Sequence, residues 1–304
     1  MNLRQFLRVV EIRTKIVSVS GLLIGTLAAL YYGQAFSWGK CLLLWTAALA
    51  IDMGTTAFNS FFDYYHQVDT PAFNLEKDKV LVHEKVPPGA ALLIALGLYA
   101  LAALLGLMLA FSVGWELVLA GALCMAVGFL YNGGPLPISR TPAGELFAGG
   151  FLGYVLPVLT YFVFTGQIAS PVLLLALPSF LLVASILTVN NTCDIAGDTA
   201  AGRRTISILI GLKAARWLIP LQGLAAWVIV ALMLFQGLMP MVAFIPLAVA
   251  LGFSIPRYFG MDRRGYTHST TGPSMGSIAA IFQLYTLGLS LALVIALMQD
   301  KGLY

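Results

Sequence analysis

A chain of 304 residues that is 60% hydrophobic, only 10% charged and formally +4 has too little charge for a water-soluble enzyme of this length. Its apolar runs recur at roughly 17 to 23 residues, enough to cross a ~30 Å hydrocarbon core as helices. These features exclude a soluble α/β fold and define an all-α polytopic transmembrane helical bundle, expected to form a single integral-membrane domain over 1–304.

The basic start MNLRQFLRVVEIRTK is expected to lie along anionic headgroups as an amphipathic segment. It is not expected to be cleaved, because the first span lacks an A-x-A site. About nine spans are predicted, at 16–32, 41–62, 90–111, 116–131, 144–164, 171–191, 214–235, 240–256 and 275–298. The links GQAFSWG, SVGWE and FQGLMP are short, whereas 63–89, 132–143, 192–213 and 257–274 are longer and polar. If the N-terminus is cytoplasmic, every longer loop is cytoplasmic too. Short cytoplasmic loops accumulate Lys and Arg. Of the 17 basic residues, 15 then lie inside, leaving only Lys40 and Lys301 outside. The expected location is therefore the cell (inner) membrane, multi-pass, with N-terminus and active-site loops cytoplasmic. The net charge follows from this topology; the lipid bilayer is the partner it implies, and no nucleic acid is expected.

At the cytoplasmic end of the second span, NSFFDYYHQVD places Asn59 and Asp63 one turn apart on one helix face. Asp69 joins them only if the chain bends, which Thr70-Pro71 favours. The sixth span ends in NNTCDIAGDTAAGRRT, where Asp194 and Asp198 repeat the spacing, Asn190 and Asn191 precede them, and Arg203 and Arg204 follow. Crowded carboxylates repel unless a cation neutralises them, and oxygen-only ligands suit Mg²⁺. Such a metal is held by a few carboxylates plus substrate phosphates. The candidate ligands are Asp63, Asp69, Asp194 and Asp198, with neighbouring Arg and Lys to clamp phosphate.

The pattern resembles the UbiA superfamily of intramembrane prenyltransferases, closest to the 1,4-dihydroxy-2-naphthoate polyprenyltransferases. Asn59, Asp63 and Asp69 match its first motif, and Asn190, Asn191, Asp194, Asp198, Gly202 and Thr205 its second. YNGGPLPISRTPAGELFAG is similar to the middle segment of the naphthoate branch. Ser60 stands where the family usually carries Asp, Gln67 where that branch often has Gly, and 71–88 offers Lys77, Lys79 and Lys85 in place of a Gly-Pro-Arg passage.

The resemblance implies Mg²⁺-dependent transfer of a polyprenyl group from its diphosphate to an aromatic acceptor such as 1,4-dihydroxy-2-naphthoate, with decarboxylation, in menaquinone synthesis. It implies catalytic roles for the motif Asn and Asp residues. Substrate-binding roles fall to Lys77, Lys79, Arg203 and Arg204 at the phosphates, Arg140 at an acceptor carboxylate, and Tyr131 and Tyr154 as π faces beside a developing cation.

Alternatives remain open at this point. Another aromatic acceptor would use the same motifs, and an ion-coupled transporter also needs intramembrane Asp and Asn, although no internal repeat is evident. Asp52, two turns before Asn59, suits either a supporting hydrogen bond to the site or a bundle contact. Cys41, Cys124 and Cys193 lack metal-type spacing and read as apolar residues. His66, His83 and His268 read as solvated loop residues, with His66 a further candidate for substrate contact.

Overall fold

The structure is a computed structural model that describes residues 1–65, 81, 84 and 86–300. Among these residues the regular structure is entirely helical. The helices are α1 (Leu3–Val9), α2 (Ile16–Tyr32), α3 (Trp38–Tyr65), α4 (Pro88–Val113), α5 (Glu116–Asn132), α6 (Gly144–Ala148), α7 (Leu156–Thr165), α8 (Ser170–Cys193), α9 (Ile195–Ala200), α10 (Ile206–Phe235), α11 (Phe244–Arg264) and α12 (Thr271–Asp300). A π-helical segment, Gly149–Val155, joins α6 to α7.

Eight of these stretches are long and apolar enough to cross a membrane, and α5, at 17 residues, is a shorter ninth. All nine fall where the sequence places spans. Several run further than hydropathy suggested: α3 continues to Tyr65 and α11 to Arg264. In hydrocarbon a backbone N–H or C=O has no water to bond, so a helix continues until it reaches water whatever its side chains. The seventh span begins at Ile206 rather than near 214, interrupted at Gly211, whose φ of 76° is left-handed. Pro178, Pro220 and Pro256 lie inside helices, a placement that membrane bundles tolerate.

The chain forms two compact units. The first comprises Met1–Val19 and Trp38–Thr141. Its main packing is α3 against α4, made close by Gly54, where a Cβ would meet the Tyr99 ring at 2.6 Å. Val9, Ala57, Phe58, Ala91, Ala95 and Tyr99 form the core. Phe58 meets both Tyr99 and Phe129 edge-on, an arrangement that favours aromatic pairs. Here α1 is tied down rather than loose: Val9 and Val10 are buried, Gln5 and Arg8 bond Glu84, and Ser60 Oγ donates to the Val9 carbonyl at 3.2 Å.

The second unit comprises Ser20–Ser37 and Pro142–Tyr304. Its centre is α8, which packs on α10, on the π segment and on α12. Glycines set the π-segment contact. A Cβ at Gly153 would lie 2.6 Å from the Ser179 carbonyl oxygen, and one at Gly149 would lie 2.6 Å from that of Phe180. Membrane helices have no hydrophobic force pressing them together, so small residues that allow close backbone approach hold them. On the outer faces, Leu221, Leu224, Val228 and Leu232 of α10 are exposed at helical spacing, as are Leu93, Leu96, Leu104 and Phe111 of α4. These are the surfaces that lipid covers.

Gly153→Ala is therefore expected to destabilise the protein by about 1–3 kcal/mol through overpacking against backbone. Thermal unfolding in detergent, beside Gly150→Ala, where a Cβ meets nothing within 4 Å, measures it.

Candidate functional site

In the first unit, Asn59 and Asp63 occupy successive turns at the end of α3, as the spacing requires. Asp63 is buried at 8% exposure and Asn59 half-buried. Ser60, in the position where a further Asp was noted as usual, is buried and committed to the Val9 carbonyl. Asp69, Lys77, Lys79, Lys85, His66 and His83, together with the expected bend at Thr70-Pro71, lie outside the described residues. Tyr131 is half-buried near the end of α5. Beside it, Asn132 accepts from Ser139 Oγ at 2.7 Å, closing the turn that contains Gly134 at φ 84°. Arg140 ends a 3₁₀ turn, Ile138–Arg140, half-buried.

Two sequence expectations change here. Lys15 is no loop charge but is 4% exposed, its ammonium 2.6 Å from Asp52 Oδ1 and 2.6 Å from Thr56 Oγ1. The other Asp52 oxygen accepts from Ser18 at 2.6 Å. Of the two roles open to Asp52, the structure shows the bundle contact. A charge this far from water is tolerated only when paired and hydrogen-bonded, and removing one partner strands the other. Lys15→Met alone is expected to cost about 3–5 kcal/mol, and Lys15→Met with Asp52→Leu to recover most of it. Chemical unfolding of the three proteins decides.

In the second unit, Asn190 and Asn191 form the last full turn of α8, and Asp194 stands at the break before α9 with φ −114° and ψ 24°. Helical hydrogen bonding bridges that break: Asp194 N–H donates to the Asn190 carbonyl at 3.2 Å and Asp198 N–H to that of Asp194 at 2.8 Å. The i,i+4 relation of the two carboxylates therefore survives in three dimensions. Among the described residues each carboxylate has one side-chain partner. Asp194 Oδ1 lies 3.1 Å from His268 Nδ1, and Asp198 Oδ1 lies 3.1 Å from Arg203 Nη1.

The Arg203 pair depends on Gly202, whose φ of 72° turns the chain back so that Arg203 N–H donates to the Asp198 carbonyl at 2.9 Å. Arg204 is exposed, and Tyr154 is half-buried in the π segment. His268 is thus no purely solvated loop residue, and Arg203 is engaged with a carboxylate.

The second Asp198 oxygen is buried, with no partner among the described residues. Burial pushes this carboxyl above the usual carboxylate range; Arg203 opposes that, and the Asp194 charge adds to it. Beside it the Asp194 carboxylate lies over bare backbone, since a Cβ at Gly197 would come within 2.6 Å of Oδ1. Hard oxygens one turn apart, one of them unsatisfied, fit a small divalent cation. Among the described residues no three His, Cys, Asp or Glu side chains gather into a cage. A cation such as Mg²⁺ completes its shell with water and phosphate instead.

Glu145, inside the GELF segment, carries no role legible from the sequence alone. Glu145 is 6% exposed and accepts from Asn191 Nδ2 at 2.8 Å. An acid at the start of an apolar span was the available signal.

The fold and these clusters define a multi-pass helical membrane protein with paired Asn and Asp motifs at helix ends. Residues 18–269 match the UbiA prenyltransferase family. The chain is 36% identical over 219 residues to a Bacillus subtilis protein described as 1,4-dihydroxy-2-naphthoate octaprenyltransferase, covering 71% of this chain and 68% of that one. A Mycobacterium tuberculosis protein of the same description is 31% identical over 214 residues, covering 70% and 72%. A structure described as a UbiA homolog from Archaeoglobus fulgidus bound to DMAPP and Mg²⁺ shares the fold at TM-score 0.66 and 15% identity, over 96% of this chain and 99% of that one. The chain belongs to the UbiA prenyltransferase family and is a prenyltransferase. The transporter alternative falls with that membership.

Proposed function

We propose that this prenyltransferase moves a polyprenyl group from an allylic diphosphate to 1,4-dihydroxy-2-naphthoate, releasing the acceptor carboxylate as CO₂, as a step of menaquinone synthesis. The observation that carries the diphosphate half is the pair Asp194 and Asp198, with a buried Asp198 oxygen that lacks a partner among the described residues. The acceptor half is supported by the description of the Bacillus subtilis relative and by the YNGGPLPISRTPAGELFAG segment.

In this reading both units serve one reaction, as one integral-membrane domain. Asp63 and Asp69 of the first acidic cluster, and Asp194 and Asp198 of the second, would hold Mg²⁺. The metal, when bound, draws charge from the departing pyrophosphate. Asn59 and Asn190 donate to the same end of the substrate, Asn191 would offer its carbonyl oxygen to the metal, and Lys77, Lys79, Arg203 and Arg204 donate to phosphate oxygens.

The allylic C–O bond breaks and its electron pair leaves with pyrophosphate. The acceptor ring attacks the allylic carbon through the carbon that bears the carboxylate. The ring-to-carboxylate bond then breaks, its electrons return to the ring, and no ring proton need be removed. Tyr131 and Tyr154 present π faces to the developing cation, and the surrounding apolar helices keep water from capturing it. Arg140 pairs with the acceptor carboxylate before it is lost, and Gly133-Gly134-Pro135 leaves room for a bicyclic ring.

The N-terminus and active-site loops are cytoplasmic at the inner membrane. The excess of Lys and Arg in the longer loops remains after Lys15 is withdrawn from the count.

Asp63→Asn and Asp194→Asn are each expected to reduce turnover by roughly 10²-fold or more by removing metal-holding charge. Chelator is expected to abolish activity and Mg²⁺ or Mn²⁺ to restore it, with Zn²⁺ substituting poorly. Wild-type turnover in both variants at limiting Mg²⁺ sinks the assignment. For the acceptor, equal concentrations of 1,4-dihydroxy-2-naphthoate and 4-hydroxybenzoate are offered with one prenyl diphosphate and the products separated by mass. The naphthoate product is expected to dominate, and a dominant prenylated hydroxybenzoate refutes this acceptor.

A further inference from the structure

Glu145 combines a buried carboxylate with the absence, among the described residues, of any Lys or Arg in ion-pair contact with it. One oxygen, Oε1, accepts the amide of Asn191 at 2.8 Å, and the other, Oε2, is buried with no partner among the described residues. The contact is built into the backbone. Gly153 lies against Ser179 and Phe180, and Gly149 lies against Phe180 and Ala184. Extended by one turn of α6 and about two of α8, the same antiparallel register brings Glu145 to Asn191. A π-helical segment, a feature that recurs at functional sites, begins four residues after Glu145.

Burying a carboxylate without a cation costs more than burying a neutral amide of the same shape. If packing were the only requirement, glutamine would serve. What the carboxylate adds is direction. The two ends of an asparagine amide are nearly alike in size, but only the nitrogen can donate. An oxygen that can only accept compels Asn191 to turn its nitrogen toward α6.

We infer that Glu145 is a positioning residue for prenyl transfer: it orients the Asn191 amide so that the carbonyl oxygen, rather than the nitrogen, is presented to the metal that holds the diphosphate. This rests on the proposed role of Asn191, Asp194 and Asp198 at the diphosphate. Groups that orient the direct contacts of a metal site matter nearly as much as those contacts.

The test uses the full chain in lipid nanodiscs. Binding of geranyl S-thiolodiphosphate, an unreactive allylic analogue, is titrated by calorimetry at several Mg²⁺ concentrations, with melting of the ligand-free protein as control. In Glu145→Gln the new amide can meet Asn191 with either end, so the orientation becomes mixed. Mg²⁺-dependent binding is expected to weaken on the order of tenfold, while ligand-free melting stays at or above wild type. Glu145→Asp, which keeps a carboxylate on a shorter stem, is expected to bind better than Glu145→Gln. In an Asn191→Ala background, Glu145→Gln is expected to add less than about twofold, because it acts through Asn191. In turnover the acceptor KM is expected to stay unchanged.

Wild-type binding by Glu145→Gln, a full additive loss in the double variant, Glu145→Asp binding worse than Glu145→Gln, or a shift confined to acceptor KM each overturns the inference. If the wild-type protein itself shows no Mg²⁺-dependent binding, the diphosphate reading fails, and this inference with it. Normal wild-type binding with any of the preceding outcomes overturns this inference alone.

Discussion

Hydrocarbon offers no hydrogen-bond partner and little screening, so a charged group in this chain is costly unless it finds a partner within the protein or stands where a helix meets water. That constraint stretches α3 and α11 past their apolar residues. It also locks Lys15 onto Asp52, Thr56 and the neighbouring backbone. Three motif carboxylates stand at helix ends: Asp63 in the last turn of α3, Asp194 and Asp198 where α8 gives way to α9.

What the sequence made legible follows from the same physics. Apolar runs of sufficient length announce spans without further context, and all nine are present. The i,i+4 carboxylates were also legible, because helical periodicity is local; the backbone bonds across Asp194 preserve it even through a break. Partners were not legible, because they come from distant parts of the chain. His268 lies 74 residues from Asp194, and Glu145 lies 46 residues from Asn191. Nothing in a loop histidine or in the opening turn of an apolar span states which residue it will meet.

Ser60 shows the same limit from the other side. In sequence it is only a departure from the family pattern; in the structure its hydroxyl donates to the Val9 carbonyl. The reason was a backbone oxygen in α1, which no motif records. The span boundaries failed for a different reason: hydropathy measures side chains, but the end of a membrane helix is decided by backbone hydrogen bonding.

The Lys15–Asp52 pair also bears on how the protein is made. The two residues are 37 positions apart, on either side of the first hairpin of spans, and the ammonium is almost completely sealed from water. During synthesis Lys15 emerges first, and its charge has no counter-ion until Asp52 follows. Without that carboxylate the fold would bury an uncompensated ammonium, a cost of about 3–5 kcal/mol. The charge buried at Lys15 is thus neutralised only once an aspartate of the next long helix has been made.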